Sequence, residues 1–241
     1  MNVNVAATVA SAVAKRVAEV RAEDAAVLVL GGDCTVELGT VAGVLSHTES
    51  IGLIYVDLDT DLNTPASTAD GALDWMGVAH MLSVEGTCPE LARLGPRVPL
   101  LHPSQIIFFA NDNSQPFERA FMDEHGMAEV RLAEVVTDPA GAAAAVVEGW
   151  ARKFDQLLIH LDVDVLDFVD MPLAENNRRN VGLRFDQLVA ALGQLLLAPN
   201  WVALTVTELN PMHGEHGGAT VRAFAEALVE VLAASTRWHR Q

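Results

Sequence analysis

Basic residues are scarce in this 241-residue chain. Fifteen Lys and Arg face 32 Asp and Glu, for a formal charge of −17, and lysine occurs only as Lys15 and Lys153. That shortage argues against nucleic-acid binding, which needs a basic face to neutralise phosphates. It disfavours anionic membrane surfaces and suits a cationic ligand or a metal. Cysteine is nearly absent as well: Cys34 and Cys88 lie far apart and form no Cys-x-x-Cys pair. Neither a disulfide framework nor a zinc ribbon is indicated, and a reducing cytoplasm is the expected location. Long apolar runs are missing too. Lys15, Arg16 and Glu19 interrupt the Ala/Val-rich start, so the first 20 residues read as an amphipathic helix, not a signal peptide or a membrane span. No repeat, charge block or low-complexity linker divides the chain, and a single domain over 1–241 is expected.

What is present is a regular alternation. Short β-branched runs predict strands at Val27–Leu30, Ile51–Val56, Gln105–Phe109, Ala128–Arg131, Leu157–Asp164 and Val202–Thr207. Longer Ala/Leu/Glu segments predict helices near 3–21, 35–46, 75–84, 116–125, 139–153, 185–197 and 219–234. Strand alternating with helix implies an α/β fold with a mainly parallel sheet and helices on both faces. The segment 167–184, "DFVDMPLAENNRRNVGLR", reads as a long loop at the carboxyl end of a strand, where function is common.

In a parallel sheet, ligands sit beyond the carboxyl ends of the strands. Four such ends carry acids or a thiol: Asp33 and Cys34, then Asp57, Asp59 and Asp61, then His160, Asp162 and Asp164, then Glu208. On an extended strand, residues two apart share a face, so each Asp-x-Asp pair can aim both carboxylates one way. Like charges at ~4 Å repel by roughly 4 kcal/mol at an effective dielectric of ~20. Such a cluster calls for protonation or for a hard divalent cation such as Mn²⁺ or Mg²⁺. Taken singly, each pair would read as a turn or helix cap; together they point to a metal-derived site.

The motifs around these residues resemble those of the arginase (ureohydrolase) family. "GGDCTVELG" is similar to its Gly-Gly-Asp-His motif, "DLDTDLNTP" to its Asp-x-His-x-Asp motif, "HLDVDVLD" to its Asp-x-Asp strand and "TELNP" to its Glu-Val/Ile-Asn-Pro strand. The resemblance runs from about residue 25 to 234. It implies a three-layer α/β/α sandwich, two Mn²⁺ per chain and hydrolysis of a guanidinium or amidine C–N bond by hydroxide held between the ions. It also implies a homo-oligomer, a trimer or hexamer. Carried over, Cys34, Asp57, Asp59, Asp61, Asp162 and Asp164 are the candidate metal ligands. Glu208 orients the substrate's cationic group, Asn63 contacts its amino-acid tail, and Asp70 is a further substrate contact. Asp74 stands where the family has a proton-shuttling histidine.

Three histidines of the pattern are replaced. Cys34 brings a softer thiolate that must lose a proton and tilts the site toward zinc or iron. Asp59 adds a full negative charge in place of a neutral ring. His160 is a candidate replacement ligand or base, beside Asp74 and Glu208 as catalytic candidates. Ala72 and Trp75 alter the expected substrate mouth, so a small guanidino or amidino compound other than arginine is expected. The opposing reading is a family fold that binds a metabolite or partner with little or no metal. A Mg²⁺-dependent phosphotransfer domain is disfavoured because Gly31-Gly32-Asp33 makes no phosphate-cradling loop.

Overall fold

A computed structural model describes residues 2–68 and 71–235. Among the described residues six strands form one parallel sheet: β1 (Val27–Leu30), β2 (Ile51–Val56), β3 (Ile106–Asn111), β4 (Ala128–Arg131), β5 (Gln156–Asp162) and β6 (Trp201–Thr207). Their order across the sheet is β1-β6-β5-β2-β3-β4, and every pairing is parallel. The inner strands β2, β3, β5 and β6 are buried almost throughout. This is why they read as continuous apolar runs instead of alternating ones.

Side-chain alternation splits the core into two layers. Ile54, Val56, Ile159 and Leu161 face α6 (Leu132–Thr137), α7 (Pro139–Lys153), α8 (Phe185–Leu195) and α9 (Ala219–Ala233). Leu53, Tyr55, Phe108 and Leu158 face α1 (Val3–Arg21), α2 (Val36–Leu45), α3 (Gly77–Leu82), α4 (Pro89–Ala92) and α5 (Pro116–His125). The result is a three-layer α/β/α sandwich, as expected. Edge strand β1 leaves Leu30 70% exposed, and the sheet runs on from it without an internal gap.

Two readings need correction. The segment 157–164 is not one strand: β5 stops at Asp162, and Val163–Val165 form a short 3₁₀ turn. The segment 75–84 is also divided, into a 3₁₀ turn at Asp74–Met76 followed by α3. The short helices α4 and α6 lack the length to show a periodic pattern and were not legible.

The first layer depends on close helix contact. A Cβ added at Gly39 would lie 2.5 Å from the Ala10 carbonyl oxygen, and one at Gly43 2.6 Å from that of Ala14. Glycines four apart thus form one bare stripe of α2 on which α1 rests. Gly39→Ala is expected to force the helices apart and lower the unfolding free energy by about 1–3 kcal/mol. Denaturant titration measures this; an unchanged midpoint would contradict the packing.

Candidate metal centre

The strand order explains why four motifs meet. β1, β6, β5 and β2 are consecutive neighbours, spaced about 4.8 Å apart, and their carboxyl ends open on one side. There a cavity of about 290 Å³ is lined by Cys34, Asp61, Asp162, Asp164, Arg178 and Glu208, with Asp59, Asp74, Trp75, Asn113 and Asn176 completing it.

The carboxylates are not aimed by strand alternation. Each Asp-x-Asp pair lies where the strand gives way to a turn, and the first Asp holds the backbone of the second. The Asp59 N–H donates to Asp57 Oδ1 at 2.7 Å, and the Asp164 N–H to Asp162 Oδ1 at 2.7 Å. One oxygen of each leading carboxylate is thereby fixed. Asp61 takes a left-handed backbone, φ +50°, and accepts a hydrogen bond from the Tyr55 hydroxyl. Cys34 follows a turn in which Asp33 Oδ1 accepts from the Thr35 N–H at 3.0 Å. The Cys34 thiol points at Asp162 Oδ2, 2.9 Å away, and lies 3.2 Å from Thr207 Oγ1.

Burial sets the electrostatics. It pushes Asp57, Asp61 and Asp162 well above the usual carboxylate range, and their mutual repulsion adds to this. Cys34 is raised by burial first and by Asp162 next, so its thiol stays protonated without a cation. Burial lifts Asp164 to about 6 against the pull of Arg178. Glu208 is lifted to about 8 by burial, then by Asp74 and Asp33. Its backbone is left-handed, φ +61°, clasped by its own N–H to Gly32 O (2.8 Å) and by the Glu175 N–H to its carbonyl (2.7 Å). Glu208 Oε1 is buried without a partner.

Arg178 was not foreseen. It comes from the long loop after β5 and reaches Asp164 Oδ2 at 3.0 Å while pairing closely with Asp59. Burial opposes its charge, but Asp164 and Asp59 more than restore it. His160 is fully buried and stacked on Tyr55, centroids 4.1 Å apart. Its Nδ1 faces Glu37 Oε2 at 3.5 Å, and its Nε2 lies 3.4 Å from Thr207 Oγ1. Glu37, also fully buried, has no hydrogen bond to either side-chain oxygen. Asn63 lies apart from the cavity lining: its side chain is spent on Glu118 (3.2 Å) and Ser67 (3.1 Å). Asp70 falls outside the described residues. His80 is buried on α3, and its Nε2 accepts from the Cys88 N–H at 3.1 Å.

Two ligand groups can be tested against an ion pair. Cys34, Asp57, His160 and Asp162 bring donor atoms within 4.8 Å of one another, as do Asp57, Asp59 and Asp164. The first group fits a divalent ion: it is buried and mixes sulfur, nitrogen and oxygen, and Asp57 Oδ2 has no partner. The second group does not fit, because the Arg178 guanidinium already pairs with two of its three carboxylates.

A sequence model of the Arginase family matches residues 1–234. The chain belongs to the arginase family. The arginase of Bacillus caldovelox is 29% identical over 191 residues, 78% of this chain and 62% of that protein. The Bacillus subtilis (strain 168) arginase is 27% identical over 220 residues, 90% of this chain and 73% of that one. The crystal structure of Bacillus cereus arginase superposes with a TM-score of 0.84 at 25% identity, covering 96% of this chain and 78% of its own. This arginase-family chain thus spans about 62% of the length of the Bacillus caldovelox and Staphylococcus aureus (strain MRSA252) relatives. Among its described residues no helix is long and apolar enough to cross a membrane.

The raised acids make stability depend on pH. Between about 4.3, the unfolded Glu value, and its folded value, Glu208 holds a proton that the unfolded chain does not, so stability falls as pH rises through that window. His80, lowered by burial, acts oppositely, but only below its unfolded value of about 6.5. The chelator-treated protein is therefore expected to melt at a lower temperature at pH 8 than at pH 6.5, and Glu208→Gln to flatten that fall. Calorimetry across the range checks both; a parent whose melting point climbs with pH would refute the assignment.

Proposed function

We propose that this chain is a metal-dependent hydrolase of a linear C–N bond in a small guanidino or amidino compound. The single observation that carries the reading is the convergence of Cys34, Asp61, Asp162 and Glu208 on one open cavity of about 290 Å³, with an Asp57 donor atom within 4.8 Å of those of Cys34 and Asp162. Cys34, Asp57 and Asp162 would hold a divalent ion, with Asp61 or His160 completing the set. Mn²⁺ is the ion by family, and the thiol suits Zn²⁺ as well. When bound, the ion lowers the pKa of water and so supplies a nucleophile at neutral pH.

The remaining work falls to side chains. Glu208 lines the cavity and has one buried oxygen without a partner, so its carboxylate can receive a cationic amidino group. That contact favours the ionised acid, bringing its pKa down from about 8. Turning the group toward the ion in this way pays the orientational cost of reaction in advance. Hydrolysis breaks the C–N bond, and the departing nitrogen must take up a proton. Asp74, half-buried in the cavity lining, is our candidate to take a proton from the attacking water and pass it to that nitrogen. His160 has no path to solvent and acts from beneath, behind Thr207 and Cys34. A groove of about 600 Å³ begins on the other side of Asp74, beside Gly71, Ala72 and Leu73, and offers room for the rest of the substrate. A trimer or hexamer, a cytoplasmic location, and Asp70 as a further contact belong to the same reading.

A release assay for urea or ammonia across guanidino and amidino compounds, run with Mn²⁺ and with Zn²⁺, tests the proposal. Asp162→Asn is expected to abolish metal retention measured by mass spectrometry. Glu208→Gln should keep the metal and raise KM about 10- to 100-fold, the loss of one charge-assisted hydrogen bond. If neither metal supports turnover of any such compound, the hydrolase reading fails.

A further inference from the structure

We infer that the Arg178 guanidinium stands permanently in the second cation position, so that this site holds one divalent ion and one organic cation instead of two ions. The inference deepens the hydrolase reading and rests on the same carboxylates, but it concerns occupancy and not turnover.

The geometry is direct. Asp57, Asp59 and Asp164 bring their oxygens together as one group, and Arg178 is inside it. Its Nη2 lies 3.0 Å from Asp164 Oδ2 and donates to Asp59 Oδ2, while Nη1 is 3.4 Å from Asp59 Oδ1. A divalent ion needs each oxygen at about 2.0–2.6 Å with its lone pairs free. Here both Asp59 oxygens and Asp164 Oδ2 already accept from Arg178, which leaves only Asp57 Oδ2 and Asp164 Oδ1 of this group without a partner. A second ion would also sit against a guanidinium that cannot shed its proton.

Arg178 also accounts for the oddest substitution in the motifs. An acid at position 59 adds charge to a site that already has too much of it. A neutral imidazole there could offer the guanidinium at most one acceptor nitrogen and no charge, whereas a carboxylate matches its fork. Asp59 and Arg178 therefore explain each other as a pair. The arrangement is fixed from several sides. Asn113 donates to Asp59 from the end of β3, and Asn176 Nδ2 donates to Asp164 Oδ2 at 3.2 Å. The Phe168 N–H donates to the Arg178 carbonyl at 3.1 Å, and the neighbouring Arg179 guanidinium lies 5.4 Å from the Phe168 ring centroid. Asp57 is left with one buried oxygen for the remaining ion.

The test counts ions in the full chain. Protein loaded with excess Mn²⁺ and passed through a desalting column is expected to retain about one equivalent by mass spectrometry. Its electron paramagnetic resonance spectrum should be that of an isolated Mn²⁺, without the coupling of adjacent ions. The double variant Asp59→His with Arg178→Ala is expected to retain about two equivalents and to show that coupling. Arg178→Met, which keeps the aliphatic stem, serves if the alanine variant does not fold, with the same gain expected in the Asp59→His background. Two coupled ions in the parent, none in the parent, or no second ion in a folded double variant would each overturn the inference. One ion in the parent with no turnover of any amidino compound would remove the hydrolase reading and leave this inference standing.

Discussion

Repulsion among buried carboxylates is the constraint around which this molecule is organised. Asp57, Asp61, Asp162 and Asp164 are each at most 5% exposed, and all four are pushed toward protonation. Nothing in an apolar sheet would gather them without an opposing charge, because an isolated ionised carboxylate in such a place costs several kcal/mol. The surrounding structure answers that cost in pieces. Backbone N–H groups fix one oxygen of Asp57 and one of Asp162, the Tyr55 hydroxyl serves Asp61, and Arg178 serves Asp59 and Asp164. What stays unserved is Asp57 Oδ2, Asp164 Oδ1 and Glu208 Oε1. That residue of unmet demand is the strongest structural argument for a bound cation.

The sheet supplies the stage. A parallel sheet with the order β1-β6-β5-β2 sets four motif-bearing strand ends side by side, although the motifs are far apart in the chain. The two apolar layers beneath hold those ends rigidly. The turns on top then carry the chemistry, including two non-glycine residues with left-handed backbones, Asp61 and Glu208. Such conformations persist only where surrounding bonds over-determine them, and both residues line the cavity.

Much of this was legible in the sequence because the relevant signals are local. Runs such as Ile51–Val56 and Val202–Thr207 announce buried strands, and the acids that follow them announce the site. The alternation expected of residues two apart is not what positions these acids. Asp57/Asp59 and Asp162/Asp164 are gathered by side-chain-to-backbone turns beyond the strands, which alternation cannot describe. Arg178 was illegible for a different reason. It sits in "ENNRRN" within a long loop, and no periodicity says where a loop arginine will reach. An excess of acids at the strand ends was the one hint that a cation from elsewhere was needed. Glu37 was hidden in the same way: an acid in a helical stretch reads as a solvated face, yet it is fully buried beside His160. Asn63 carried a role by resemblance, but here Glu118 and Ser67 occupy it.

The loop after β5 does two jobs at once. Arg178 and Asn176 grip Asp164, and one residue before Asn176 the Glu175 N–H donates to the carbonyl of Glu208 while the Glu175 carboxylate accepts from Asn210. The charge balance of the cluster and the posture of the acid that would receive a ligand are therefore tied to a single strip of chain. A substitution that displaced that strip would therefore disturb the charge balance and the posture of Glu208 together.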